Sequence, residues 1–178
     1  MKLNLISVIS LLLLFVFSCG GSKSGDSEAS ESSGQSEAQS MVKSEEQEQI
    51  PDTAELVIEG NDQMQYNLDQ LEVYEGQVVK LTLIHVGEMS VDAMGHNWVL
   101  LKPGTDKATF GAAATSAKQN DYIPQDMTDQ VIANTKTIGG GEQTSITFEA
   151  PGSGYYDFLC SFPGHYGVMQ GTFVVKPR

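Results

Sequence analysis

Eight short segments of this 178-residue chain have the residue pattern of β-strands. They are residues 55–60, 71–74, 78–86, 96–101, 132–138, 145–150, 155–160 and 171–176. Several alternate apolar and polar side chains with a period of two, and turns rich in glycine or proline separate them. Because short strands with such punctuation pair mainly with their neighbours, the pattern predicts an all-β fold, an antiparallel sandwich or barrel.

One stretch departs from the strand pattern. Residues 107–118, KATFGAAATSAK, are rich in alanine and lack alternation. Alanine is the strongest helix former, so this stretch predicts one short helix inserted between strands and packed outside the sandwich.

The beginning of the chain is typical of an exported protein. Residues 5–17 form a nearly continuous apolar run behind Lys2, too short to span a bilayer. The run ends in VFSC, which resembles a bacterial lipoprotein signal. Residues 1–18 are therefore predicted to be a signal peptide and Cys19 the site of lipid attachment. Gly20 is not an aspartate-type retention signal, so we expect a periplasm-facing lipoprotein of a Gram-negative outer membrane.

The next segment and the domain that follows are both acidic. Residues 19–50 are rich in Ser, Glu, Gly and Gln, which predicts a disordered linker. Residues 51–178 suit one domain and carry 16 acidic and seven basic residues. This charge argues against a nucleic-acid partner and favours protein partners with basic patches and salt-dependent association.

The segment CSFPGHYGVMQG, residues 160–171, contains three potential metal ligands. Cys160 has no disulfide partner if Cys19 carries lipid. A leftover cysteine in an exported protein indicates an intermolecular disulfide, a reactive thiol or a metal ligand. His165 and Met169 follow it in the loop between two predicted strands. Thiolate, imidazole and thioether are the donors that suit copper, above all copper(I).

A blue-copper site also needs a second histidine. The chain has three histidines, so the candidates are His85 and His96. His96 begins a predicted strand and follows Gly95, which would let the backbone approach an ion. His85 lies inside the predicted strand 78–86, where a structural role is favoured.

The region from residue 54 to residue 176 resembles azurin, a family of small bacterial blue-copper proteins with the cupredoxin fold. Three segments carry the resemblance: GNDQMQYN at 60–67, MGHNWVL at 94–100 and CSFPGHYGVMQGT at 160–172. It implies a monomeric, eight-stranded Greek-key β-sandwich at residues 51–178 with one copper ion at one end. This chain lacks the family's disulfide, because Leu56 and residues 74–76 occupy the corresponding places.

The resemblance also implies the role of each site residue. His96, Cys160 and His165 correspond to strong ligands, and Met169 and the carbonyl of Gly95 to weak axial ligands. Asn97 and the backbone N–H of Phe162 correspond to groups that bond the sulfur or tie the ligand loops together. His85 corresponds to a histidine behind the site that titrates with pH and does not bind metal.

Electron transfer is the function that the resemblance implies, with His165 as the exit through an apolar docking patch. The corresponding patch residues are Met64, Met89, Met94, Phe162, Pro163 and Val168. A c-type cytochrome or a terminal reductase is the expected partner. A copper carrier or storage protein with the same ligands is the alternative.

No enzymatic activity is expected. A copper nitrite reductase needs a second copper and more than three histidines. A thiol hydrolase using Cys160 and His165 needs an orienting third group and an oxyanion hole, and the sequence indicates neither.

Overall fold

The computed structural model describes residues 49–178, so the predicted signal peptide, Cys19 and most of the linker lie outside the described residues. Within residues 49–178 eight strands are present, as predicted. They are β1 Thr53–Gly60, β2 Gln70–Tyr74, β3 Val78–His85, β4 Val99–Leu101, β5 Val131–Asn134, β6 Gln143–Glu149, β7 Gly154–Leu159 and β8 Gln170–Lys176. Two α-helices, α1 Val91–Met94 and α2 Lys107–Ala114, and two 3₁₀ helices, Lys118–Asn120 and Gln125–Gln130, connect them.

The strands form two sheets, ordered β1-β3-β6 and β2-β8-β7-β4-β5. Four of the strand pairs are antiparallel, as an antiparallel sandwich predicts. Two pairs differ from this pattern, because β1 pairs with β3 and β2 pairs with β8 in parallel. The reason is the crossing between sheets. Along the chain β2 follows β1 and precedes β3, but it lies in the other sheet. β1 and β3 are therefore neighbours that no hairpin connects, and they run in the same direction.

The core between the sheets is built from the inward-facing residues of the alternating strands. Ile58, Leu81, Leu83, Trp98, Phe158 and Phe173 are fully buried there. The Trp98 ring centroid lies 5.7 Å from that of Phe158 and 6.0 Å from that of Phe173. Burying an aromatic or aliphatic side chain contributes roughly 1.5–3 kcal/mol. Within residues 49–178 this apolar core stabilises the fold without a disulfide, since Cys160 is free.

We expect Trp98 to fluoresce as an indole in a hydrocarbon environment. It is the one tryptophan of the chain, it is fully buried, and its Nε1 has no hydrogen-bond partner. Emission should be strongly blue-shifted in the folded protein, protected from acrylamide, and red-shifted on unfolding. A Trp98→Phe variant should lose the signal and keep most of its stability, because no hydrogen bond is lost. An emission maximum typical of an indole in water would contradict the complete burial of Trp98.

Helix α2 begins where the alanine-rich stretch predicts and ends earlier than residue 118. The Asp106 carboxylate caps it by accepting a hydrogen bond from the N–H of Thr109 at 2.7 Å. The helix packs on the outside of the five-stranded sheet through buried Phe110, against Val99 and Leu101. In the described part of the chain, no helix has the length and apolar character needed to cross a bilayer.

Strand register brings the predicted ligands to one end of the sandwich. Cys160 directly follows β7 and Met169 directly precedes β8, and these strands pair Leu159 with Gln170. The same Leu159 pairs with Val99 at the start of β4, three residues after His96. The ends of three neighbouring strands therefore carry three of the predicted ligands to the same place.

Candidate metal centre

His96, Cys160 and His165 converge at this end of the sandwich. One potential ligand atom from each lies within 4.8 Å of the other two, and all three side chains are buried. The Cys160 Sγ lies 4.0 Å from His96 Nδ1 and 3.6 Å from His165 Nδ1. A thiol and two imidazoles facing one point form the donor set of a copper or zinc site.

A hydrogen bond determines which nitrogen His96 offers. Its Nε2 lies 2.8 Å from the carbonyl oxygen of Asn61. A carbonyl can only accept, so Nε2 carries the proton and donates. The lone pair of the neutral imidazole is then on Nδ1, the atom that faces Cys160. The arrangement orients the ring for coordination before any metal arrives.

The protonation states of the metal-free site follow from burial. Burial raises the pKa of the Cys160 thiol to about 12, although backbone hydrogen bonds from Asn97 and Phe162 oppose this shift. Burial, followed by the nearby charges of His96 and His85, lowers the pKa of His165 to about 4. Burial also lowers the pKa of His96. At neutral pH both imidazoles are therefore uncharged ligands, whereas the thiol still holds its proton.

Asn97 joins the two segments that carry the ligands. Its Oδ1 accepts the N–H of Ser161 at 2.8 Å, and its Nδ2 donates to Ser161 Oγ at 2.8 Å and to the Asp121 carbonyl at 2.7 Å. Asn97 and Ser161 are fully buried. Because Ser161 follows Cys160 and Asn97 follows His96, these bonds fix the separation of two ligands.

Gly95 brings its backbone close to the thiol. Its carbonyl oxygen lies 3.9 Å from Cys160 Sγ. A Cβ at this position would lie 2.6 Å from the Val91 carbonyl oxygen and 2.7 Å from the Phe162 ring. Only glycine fits this approach, so the sequence pair Gly95-His96 is a steric requirement of the site.

Met169 lies in the same buried cluster as Cys160. A Cβ on Gly60 would be 2.8 Å from both Met169 Cε and His96 Cδ2, so both side chains pack on that glycine. Within the loop, the Met169 carbonyl accepts the N–H of Cys160 at 2.9 Å, and the Met169 N–H donates to the His165 carbonyl at 2.8 Å. The thioether thus belongs to the wall of the site.

His85 lies behind His96 and not in the cluster of ligand atoms. The two rings stack with centroids 4.2 Å apart. Its Nε2 donates to the Met94 carbonyl at 2.8 Å, and its Nδ1 accepts the N–H of Gly87 at 3.1 Å. Both ring nitrogens are occupied by backbone groups, which leaves His96 as the second histidine of the site.

Comparison with known proteins identifies the family. The profile of the plastocyanin/azurin family of copper-binding proteins matches residues 52–176. The azurin of Achromobacter denitrificans is 44% identical over 123 residues, which cover 66% of this chain and 81% of that protein. The azurin of Pseudomonas aeruginosa PAO1 is 37% identical over 123 residues, covering 67% and 82%. This chain belongs to the plastocyanin/azurin family.

Solved structures agree with this family assignment and confirm the predicted cupredoxin fold. Auracyanin A, a "blue" copper protein of Chloroflexus aurantiacus, superposes with a TM-score of 0.64 at 31% identity, covering 70% of this chain and 99% of that one. The reduced auracyanin of Roseiflexus castenholzii gives a TM-score of 0.62 at 33% identity, covering 69% and 97%.

The residues of the predicted docking patch differ in how far they are exposed. Met89 and Val168 are 41% and 65% exposed. Phe162 lies beneath the surface, with 7% exposed, and its ring packs 4.8 Å from that of His165. Val91 of α1 is not part of the predicted patch and is 39% exposed. Met64, Met94 and Pro163 are partly buried.

Two further side chains near the site were not found from the sequence. Tyr122 packs edge-on against Phe162 with centroids 5.0 Å apart. It and Asp121 have φ of 59° and 49°, a conformation that residues other than glycine rarely adopt. The Tyr66 hydroxyl donates to the Asn97 carbonyl at 2.5 Å. No local pattern marks these positions, because their contacts are long-range.

Proposed function

We propose that this chain is an electron-transfer protein with one type 1 copper centre. His96 Nδ1, Cys160 Sγ and His165 Nδ1 are the strong ligands, and Met169 and the Gly95 carbonyl are the weak axial groups. The observation that carries the proposal is the buried cluster of three donor atoms within 4.8 Å of one another. Copper in such a site supplies one-electron chemistry by cycling between Cu(II) and Cu(I).

Rigid, buried ligands favour electron transfer over catalysis. Cys160 and His96 are fully buried and His165 is 3% exposed, so no ligand position faces substrate-sized space. Asn97 and the backbone bonds within the loop hold the ligands in place, so little has to move when the charge changes. We therefore propose that the protein is not an enzyme.

The proposal is tested with copper-loaded full-length protein. Ascorbate should bleach the colour, and an added oxidised c-type cytochrome should restore it, over many cycles and without loss of metal. Transfer of copper to the partner, or its release on reduction, would instead favour the copper carrier. A spectrum without an intense visible band would overturn the type 1 site.

The proposed partners are redox proteins with basic surfaces that dock transiently. This chain is proposed to be a monomer. The apolar side chains Met89 and Val91 lie beside exposed Glu88 and Asp92. The Nζ of Lys118 forms an ion pair with Oδ1 of Asp92 at 2.8 Å. Surfaces of this kind give weak, fast association that slows with added salt.

Metal binding at pH 7 should release one proton per site. The pKa of the Cys160 thiol is about 12 and that of His165 about 4, so only the thiol has a proton to lose. Titration of metal-free protein with copper in weakly buffered indicator solution measures this count. A Cys160→Ser variant should release no proton. Two or more protons from the wild type would mean that the imidazoles are charged.

We further propose that residues 1–18 are removed and that Cys19 carries lipid. Residues 19–50 then tether the domain at residues 51–178 to a periplasm-facing membrane. The outer membrane is favoured over the inner one. Cys19→Ala should move the protein from the membrane fraction to the soluble fraction of cells. Cys160→Ser is the matched control and should stay with the membrane. Wild-type protein in the soluble fraction would contradict the tether.

A further inference from the structure

We infer that Tyr166 is a positioning residue for His165, and that its ring does this by packing on the backbone of Gly111 in α2. The inference rests on the proposed copper function, because His165 is the ligand whose position is at stake. Tyr166 directly follows His165 in the chain, so a shift of its ring moves the ligand's own backbone.

The contact between Tyr166 and α2 leaves no room for a side chain on Gly111. A Cβ at Gly111 would lie 2.2 Å from Tyr166 Cγ and 2.3 Å from its Cδ1. Gly111 is buried near the middle of α2, where alanine would be the better helix former. The glycine at this place is explained by the ring that covers it.

The surface under the ring is well fixed. Tyr166 packs against a buried cluster between α2 and the five-stranded sheet, formed by Val99, Leu101, Phe110, Ile123 and Leu159. Asp106 caps the helix, and Lys107 forms an ion pair with Asp157 of β7 at 3.0 Å. Helix α2 is thus held against β7, the strand that Cys160 directly follows.

The loop residues around His165 and Tyr166 make few side-chain contacts with the domain. Gly164 and Gly167 have no side chains, and Val168 is 65% exposed. The hydrogen bonds from His165 N–H to the Phe162 carbonyl and from Val168 N–H to the His165 carbonyl, both 3.0 Å, stay within the loop. The His165 ring itself lies 4.8 Å from the Phe162 ring and 5.1 Å from the His96 ring. Tyr166 adds to these contacts the packing that ties this side of the loop to α2.

The test uses full-length protein in a Cys19→Ala background, so that Cys160 is the one thiol. Gly111→Ala and Tyr166→Ala should each raise the alkylation rate of Cys160 in metal-free protein at least tenfold, because the covering loop loosens. With copper bound, both should change the hyperfine splitting and the visible band. Tyr166→Phe keeps the ring and should leave all three readouts unchanged.

The double variant separates a specific contact from general damage. Gly111→Ala should lower the unfolding midpoint in the wild type and raise it in the Tyr166→Ala background, where the ring is absent and helix propensity decides. Val175→Ala, at the far end of β8, is the control for stability loss and should alter neither the copper spectrum nor the exposure of the thiol beyond global unfolding.

Two outcomes would overturn the inference: no sign reversal in the double variant, or thiol and copper readouts that only follow those of Val175→Ala. A wild type without a blue band would refute the proposed function instead. The alkylation and unfolding measurements on metal-free protein would still decide whether Tyr166 holds the loop.

Discussion

Cys160→Ser will abolish the intense visible absorption of the copper-loaded protein. The band of a type 1 site comes from charge transfer between a thiolate and copper(II), and Cys160 is the free thiol among the described residues. A serine hydroxyl does not ionise at neutral pH and is a hard donor that copper binds poorly. Visible absorption and electron paramagnetic resonance should both change, with loss of the band and widening of the narrow hyperfine splitting.

The other cysteine provides the matched control for this substitution. Cys19→Ala should keep the full band, since residue 19 is proposed to carry lipid and not metal. Serine is close to cysteine in size, so the variant should also keep the wild-type far-ultraviolet circular dichroism. A blue band that survives in folded Cys160→Ser protein would place the copper elsewhere and overturn the proposed ligand set.

Strand number and the ligand loop could be read from the sequence because both are local. Alternation within each strand shows which residues face inwards, and Cys160, His165 and Met169 lie within ten residues. The choice of His96 over His85 also had a local basis, the preceding Gly95. The structure gives the reason in contacts: both nitrogens of His85 bond to backbone groups.

Features that depend on distant parts of the chain were not predictable in this way. The parallel pairing of β1 with β3 results from β2 crossing to the other sheet. Asp121 and Tyr122 both have a left-handed backbone conformation, and Tyr122 packs against Phe162. Neither position is a glycine, so the sequence does not mark this conformation. The contact between Tyr166 and Gly111 was not predictable either, because Gly111 lies in a stretch with the pattern of an ordinary helix.

Asn97→Ala should cost about 3 kcal/mol of unfolding free energy, because three buried hydrogen bonds are lost and each contributes roughly 1 kcal/mol. The variant leaves the Ser161 N–H and the Asp121 carbonyl without their partner. Since these bonds hold the His96 and Cys160 segments together, copper affinity should fall about 10–100-fold, as for other groups that orient metal ligands. Chemical denaturation and chelator competition measure the two effects.

Gln77 is a matched control for this prediction at the opposite end of the sandwich. It is a buried side-chain amide that accepts the N–H of Tyr74 and donates to the Pro51 carbonyl, both at 2.7 Å. Gln77→Ala should destabilise the protein by about 2 kcal/mol, one for each bond lost, and leave copper affinity unchanged. If both variants weaken copper binding in proportion to their stability loss, Asn97 has no particular role at the metal centre. A loss of affinity confined to Asn97→Ala would show that the bonds between the ligand segments, and not global stability, hold the site in its binding geometry.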